Sequence, residues 1–252
     1  MTVRITDTRY GRQLYLDTDF YFAPLLELCG EYSEGEVDLW RRLVKPGDRI
    51  VDAGAHIGCH TLALAQLVGP AGEVVAFEPQ QLMFRCLCGS LALNGVSHVA
   101  VFPYALGNGN RQVRIEPLDY EQMGNYGGVE IVETGDDWNI LMAALDMLNL
   151  KELALMKIDV EGSECEVLQG AKETIARCRP FLYVENDRQQ NSERLIGLMQ
   201  DMGYVLYSHT PPLFNLNNWK HRTEPIFPGI VSIMILGVPR EIQFETNLPS
   251  IG

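Results

Sequence analysis

The run Arg49-Ile50-Val51-Asp52-Ala53-Gly54-Ala55-His56-Ile57-Gly58 limits what this chain can fold into more than any other stretch. A short apolar segment ends on a carboxylate, passes through a glycine-punctuated turn and enters Cys59-His60-Thr61-Leu62-Ala63-Leu64-Ala65, which reads as a helix. A strand that stops at a Gly-rich turn and feeds a helix is the layout of a nucleotide-cofactor site in an open α/β sheet. Gly54 lets the backbone turn sharply and come close to a ligand, because no Cβ stands in the way. The helix beginning near Gly58 points unpaired N–H groups at the same spot.

Strand and helix signals alternate on either side of this run. Strands are predicted near 50–53, 73–78, 98–102, 153–159, 180–186, 204–208 and 230–236, and helices near 58–68, 80–94, 163–178 and 190–202. Alternation of this kind predicts an α/β fold, a mostly parallel sheet covered on both faces, with ligands beyond the carboxyl ends of its strands. Acids and an amide fall at those ends: Asp52, Glu78, Asp159, Glu185 and Asn186. Short alternating runs before residue 30 suggest a small N-terminal β addition, so the chain divides into an extension over 1–36 and one domain over 37–252. Val37, Trp40 and Val44 form the stripe of a helix that Lys45-Pro46-Gly47-Asp48 ends. Between 110 and 145 the pattern changes to Gln112–Ile115 and Val129–Val132, with Gly124, Asn125, Gly127 and Gly128 between them: an inserted hairpin beside the cleft.

The formal charge of −13 argues against nucleic acid and against an anionic membrane surface as partners. Met1–Asp7 carries charges and no apolar leader core, and the longest apolar stretch, near Gly229–Val238, is too short to span a bilayer. The six cysteines show no C-x-x-C pair and no metal-ligand spacing, which fits reduced thiols and a cytoplasmic location.

Which cofactor the turn holds is narrowed by its form. A dinucleotide fingerprint wants G-x-G-x-x-G, but His56 stands between Gly54 and Gly58, which disfavours an NAD-dependent oxidoreductase. Glu78, at the end of Val74-Val75-Ala76-Phe77, is placed to accept hydrogen bonds from a ribose diol, in NAD or S-adenosylmethionine alike. A second feature is Leu155-Met156-Lys157-Ile158-Asp159-Val160-Glu161-Gly162-Ser163-Glu164, a strand and turn in which Ser163 and Glu166 read as a capping box. Lys157, inside the strand, reads as a buried partner for a carboxylate. Asp159, Glu185 and Asn186 also form an oxygen donor set that could hold Mg²⁺. The segment His209–Gly229, rich in Pro, Asn and Trp219, would offer amide donors and an aromatic face at the cleft mouth.

Taken in order, D-A-G-A-H-I-G at 52–58, A-F-E-P at 76–79, K-I-D-V-E-G-S-E at 157–164 and R-P-F-L-Y-V-E-N at 179–186 resemble the FkbM family of class I S-adenosylmethionine-dependent methyltransferases. The likeness covers roughly residues 30 to 236 and includes the lead-in Glu31–Glu36. It implies a Rossmann-like, mostly parallel seven-stranded sheet and methyl transfer from S-adenosylmethionine, usually to a hydroxyl oxygen. Carried onto this chain, Asp52, Gly54, Ala55 and Gly58 would hold the methionine end of the cofactor. Glu78, followed by Pro79, would hold the ribose; Tyr104 and Ala105 would flank the adenine; Glu31 and Tyr32 of the lead-in would also bind the cofactor. His56 stands where many members have Asn, able to bond the cofactor carboxylate or to respond to pH. Asp159 and Glu161 are the best placed bases, Glu185 comes next, and His209 is remote. The acceptor would be a hydroxyl on a sugar, glycan or secondary metabolite. Mg²⁺ is compatible but not expected, a homo-oligomer stays open, and a cofactor-binding partner without turnover is the alternative from another class.

Overall fold

A computed structural model describes residues 1–132 and 139–252. The chain opens with the hairpin β1 (Val3–Thr8) and β2 (Gly11–Leu16), then α1 (Phe22–Leu28) and α2 (Glu34–Leu43). The first alternating half is β3 (Arg49–Ala53), α3 (Cys59–Val68), β4 (Glu73–Phe77), α4 (Gln81–Leu93) and β5 (Val99–Phe102). Short strands β6 (Tyr104–Leu106), β7 (Arg111–Ile115), β8 (Ile131–Val132) and β9 (Ile140–Ala143) follow. The second half is β10 (Leu155–Ile158), α5 (Glu164–Gly170), α6 (Lys172–Cys178), β11 (Phe181–Glu185), α7 (Gln189–Asp201), β12 (Tyr204–His209), β13 (Met234–Pro239) and β14 (Ser250–Ile251).

The main sheet has the order β14-β12-β13-β11-β10-β3-β4-β5. Eight strands stand where seven were expected; the extra one, β14, adds two residues to the edge at Leu206 and Tyr207 of β12. Its centre is parallel, and β13 runs antiparallel to both β11 and β12. Both faces are covered, which is why the central strands read as nearly unbroken apolar runs. Val51, Met156 and Leu182 pack with α5, α6 and α7 on one face. Ile50, Val74, Leu155 and Tyr183 pack with Trp40 of α2 and Leu64 of α3 on the other.

Register places the site. Lys157 lies opposite Asp52 and Ile158 opposite Ala53, while Ala53 lies opposite Phe77. The carboxyl ends of β10, β3 and β4 are therefore flush, and the turns after them meet at one edge.

Two local expectations are corrected. The helix expected over 163–178 is two, α5 and α6, joined at Ala171 with φ −111° and ψ 7°. A Cβ on Gly170 would stand 1.8 Å from the carbonyl oxygen of Gly107, so α5 is seated on main chain from the inserted region. Ser163 makes no side-chain cap; its φ of −100° and ψ of 16° depart from the extended backbone of a capping residue. The Glu164 carboxylate accepts the Gly162 N–H at 2.9 Å instead, and Glu166 pairs with Arg194 at 3.0 Å.

In the insertion β7 pairs antiparallel with β8, as the hairpin reading expects, and β9 and β6 complete a second sheet in the order β6-β9-β7-β8. Residues 133–138 of that stretch lie outside the described residues. The N-terminal hairpin is tied down beside the α3 turn: Gln13 donates to the Ile57 carbonyl at 2.6 Å, and Ser90 Oγ of α4 accepts the Leu14 N–H at 2.9 Å. Among the described residues no helix is long and apolar enough to cross a membrane.

Candidate functional site

Gly54 sits at φ +77°, and a Cβ there would lie 1.7 Å from the carbonyl oxygen of Asp159. The glycine is thus required by the main chain just after β10. Gly54 and Ala55 both donate their N–H groups to the Phe77 carbonyl at 3.0 Å. His56 takes φ +49° and donates its N–H to Glu78 Oε2 at 2.8 Å, while Gln80 donates to Glu78 Oε1 at 2.7 Å. Two main-chain bonds therefore fix the Glu78 carboxylate and leave each oxygen a further lone pair. Gly58, at φ +92°, caps α3.

Beneath the turn is a buried ion cluster. Lys157 Nζ lies 3.1 Å from Asp52 Oδ1 and 3.4 Å from Asp159 Oδ2, and donates to the Gly54 carbonyl at 2.8 Å. Thr61 donates its hydroxyl to the other Asp52 oxygen at 2.7 Å. Burial opposes the charge on Lys157, but Asp52 and Asp159 outweigh it and hold the ammonium above its ordinary value. Lys157 is the buried carboxylate partner that its place in the strand suggests.

A cavity of about 400 Å³ opens at this edge of the sheet. Tyr32, Gly54, Ala55, His56, Glu78, Asp159, Glu161 and Glu185 all line it. Glu31, Asp52, Gly58, Pro79, Tyr104 and Ala105 are not among its lining residues. Glu31 is buried elsewhere: its carboxylate pairs with Arg9 at 2.7 Å and accepts from Asn215 and from the Trp219 N–H, both at 2.9 Å. Asp52 reaches the site only through Lys157. Tyr104 and Ala105 belong to β6, whose partner is β9. His209 sets Nδ1 2.8 Å from the Tyr183 hydroxyl and does not line the cavity either. The amides of the 209–229 segment are largely used internally, Asn218 on the carbonyls of Asn215 and Arg222, and Asn215 on Glu31.

Several wall residues escaped sequence reasoning, among them Glu36, His60, Gln80, Asn125 and Arg188. Glu36 closes the lead-in and Asn125 lies in the loop expected beside the cleft, though the sequence singles out neither as a site residue; nothing local marks the others. Glu36 is buried and accepts from the hydroxyls of Ser33 and Ser232, both at 2.7 Å. Burial pushes Glu36 and Glu78 up to about 7, against the hydrogen bonds that favour their charged forms. Burial, with Lys157 nearby, pushes His56 and His60 down to about 3, so both rings are neutral in the physiological range. His56 therefore does not act as a pH sensor there. It packs on Phe22 with ring centroids 4.4 Å apart, and neither of its buried ring nitrogens has a protein partner.

Asp159, Glu161 and Glu185 bring one carboxylate oxygen each within 4.8 Å of one another. Asp159 has Lys157 beside it, and Glu161 has Arg188 Nη2 at 2.5 Å. Among the described residues no lysine or arginine nitrogen lies within 4.0 Å of the Glu185 carboxylate, and its buried Oε2 accepts no hydrogen bond. Burial and then Asp159 push both Glu161 and Glu185 up. Such a trio can share and pass protons, and its oxygens are a donor set for a hard divalent cation.

Residues 52–206 match the family described as the methyltransferase FkbM domain. Among individual proteins, the chain is similar to the 31-O-demethyl-FK506 methyltransferase FkbM of Streptomyces tacrolimicus, 27% identical over 68% of this chain and 78% of that one. It is also similar to methyltransferase 1 of Beauveria bassiana, 27% identical over 63% of this chain and 74% of the relative. In fold it resembles the crystal structure of precorrin-6y C5,15-methyltransferase from Geobacter metallireducens, with a TM-score of 0.52 over 81% of this chain and 86% of that one, at 11% identity.

Proposed function

The chain belongs to the FkbM methyltransferase family, and on that premise we propose that it transfers a methyl group from S-adenosylmethionine to a hydroxyl oxygen of a small molecule or glycan. Dependence on S-adenosylmethionine comes with the family; the oxygen acceptor is our reading, supported by the O-methyl chemistry in the name of the Streptomyces relative. The residues present suit this cofactor. Glu78 faces the cavity with spare lone pairs for a ribose diol, and the partnerless His56 nitrogens offer a bond to its amino-acid end.

One observation carries the catalytic reading. The Lys157 ammonium binds the Gly54 carbonyl at 2.8 Å and stands 3.4 Å from Asp159, so one buried cation ties the base to the turn that holds the cofactor. The bound sulfonium supplies an electrophilic methyl group. The protein then has two tasks, alignment of the acceptor and removal of its proton. Alignment is worth on the order of 7–11 kcal/mol, and a positioned base about 10²–10⁴-fold. Asp159 is the proposed base. Glu161, clamped by Arg188, and Glu185, pushed up by burial, orient the acceptor hydroxyl and take part in passing its proton on. Glu36, Tyr32 and Gln80 complete the wall.

The test is to incubate the protein with cell extract and methyl-labelled S-adenosylmethionine and to identify the labelled product by mass spectrometry. The label is expected on oxygen, and Asp159→Asn should depress its formation while leaving the fold intact. Label found on nitrogen or carbon would refute the proposed acceptor. Repeating the assay with EDTA and then Mg²⁺ reads out whether the acid trio works with a metal.

A further inference from the structure

The cavity lining has two unlike parts. One is apolar: Tyr21, Leu213, Ile230, Val231 and Ile233. The segment carrying the last three is held against 211–213: Leu213 donates its N–H to the Ile230 carbonyl at 3.1 Å, and Ser232 to the Pro211 carbonyl at 2.9 Å. Ile230, Val231 and Ile233 nevertheless remain 41%, 40% and 43% exposed. Next to them Tyr21, Phe20 and Phe227 form an aromatic cluster with centroids 4.9 to 5.6 Å apart, and Phe20 is 46% exposed. Single exposed apolar side chains are ordinary, but a group converging on one cavity mouth marks a binding surface.

The other is acidic, and it meets the apolar stretch directly: Asn186 donates its N–H to the Ile233 carbonyl at 2.8 Å, and Glu185 pairs with Met234 across the strands. Asp159, Glu161, Glu185 and Asp187 face the cavity, and the two lysine or arginine residues among its described lining are already engaged. Lys157 is held by Asp52, Asp159 and the Gly54 carbonyl; Arg188 is held by Glu161, Asp187 and Glu130. The lining histidines are neutral. A phosphate or carboxylate on the acceptor would meet the Asp159 and Asp187 side chains and find no free lysine or arginine among the described lining to pair with. A bare polyol would find few donors from the 209–229 segment, where Asn218 bonds the carbonyls of Asn215 and Arg222 and Asn215 bonds Glu31.

We infer that the acceptor is an uncharged molecule in which the reactive hydroxyl is joined to an extended apolar body, with the hydroxyl at the acid trio and the apolar part along Tyr21 and Ile230–Ile233. This rests on the methyltransferase reading above and excludes phosphorylated or nucleotide-linked acceptors.

The test is calorimetry on the full chain, first with S-adenosylhomocysteine alone, then on the loaded protein with three probes. Octyl β-glucoside and methyl β-glucoside carry the same free hydroxyls and differ in the tail; octanoate carries the tail with a negative charge. Octyl glucoside is expected to bind at least tenfold more tightly than either of the others. Val231→Asp/Ile233→Asp, at exposed positions, should remove that advantage while S-adenosylhomocysteine binds unchanged. Equal affinity for the two glucosides, equal or tighter binding of octanoate, or an advantage that survives the double substitution would overturn the inference. Failure of S-adenosylhomocysteine to bind the unsubstituted protein would instead strike the cofactor reading itself.

Discussion

Lys157→Met removes the cation from beneath the cofactor turn while roughly keeping the side-chain volume. Asp52, completely buried, would be left with the Thr61 hydroxyl at 2.7 Å as its partner, and the Gly54 carbonyl would lose its 2.8 Å donor. Breaking a buried ion pair from one side costs about 3–5 kcal/mol, because the remaining charge is stranded away from water. The expected loss in unfolding free energy is of that size. Urea titration followed by the fluorescence of Trp40, which packs edge-on against Tyr183 at 5.4 Å, would measure it. Adding Asp52→Asn deletes the stranded charge, so the double variant should regain about 2 kcal/mol over Lys157→Met alone. The sign with pH follows from the raised folded value of Lys157. Its contribution is complete below the unfolded lysine value of about 10.4 and is lost as pH climbs through the higher folded one, so the gap to the variant narrows only in strong alkali. A loss under about 1 kcal/mol, or a double variant as unstable as the single one, would refute the picture of one ammonium holding β3, β10 and the turn together.

Glu78→Ala should weaken S-adenosylhomocysteine by about 1.5–3 kcal/mol, roughly 10–150-fold in Kd by calorimetry, because the ribose loses a charged acceptor; unchanged affinity would move the ribose elsewhere. Glu36 and Glu78, pushed up to about 7, hold protons in the folded state that the unfolded chain has released. The melting temperature of the cofactor-free protein should therefore fall from pH 7 to 8, above the ordinary histidine value at which unfolding lets His56 and His60 take up protons; Glu161 and Glu185, raised as well, add to the fall, and Glu36→Gln should lessen it. A rise over that window would contradict the burial assigned to these acids. Gly54→Ala should unfold the site and abolish S-adenosylhomocysteine binding, since its Cβ would fall 1.7 Å from the Asp159 carbonyl oxygen. Gly197→Ala, in α7 with nothing within 4 Å of the added carbon, should instead stabilise by roughly 0.5–1 kcal/mol in the same melts.

The parallel core was legible because its strands are buried on both faces, so their apolar runs are nearly continuous and each ends at a marked turn. The site was legible where strand ends supply it: Gly54, Glu78, Asp159 and Glu185 all reach the cavity. It was not legible where partners come from far along the chain. Glu31 lies in a stretch that resembles the family's lead-in, but Arg9 of the hairpin connection and Asn215 of the long crossover claim its carboxylate, and spacing cannot foresee that. The break at Ala171 was invisible for a similar reason, since what seats Gly170 is the main chain at Gly107. The apolar part comes from residues 21 and 213 and from 230–233; the last were expected in a strand over 230–236, but β13 begins only at Met234 and leaves them at the cavity.

The charges around the cavity bear on turnover as well as binding. Glu36, Glu78, Asp159, Glu161, Glu185 and Asp187 face it, against Lys157 and Arg188. A sulfonium brings a positive charge into that field, and the sulfide left after methyl transfer does not. With the cofactor bound as proposed, the same walls would favour the donor over the spent cofactor, apart from any contact to ribose or adenine that the two share. Because Glu36 and Glu78 are raised mainly by burial, a bound cation stabilises their charged forms and draws their protons off. With the donor bound as proposed, its binding would be coupled to proton release, and loss of the sulfonium would return the acids toward their neutral forms when the acceptor's own proton must be placed.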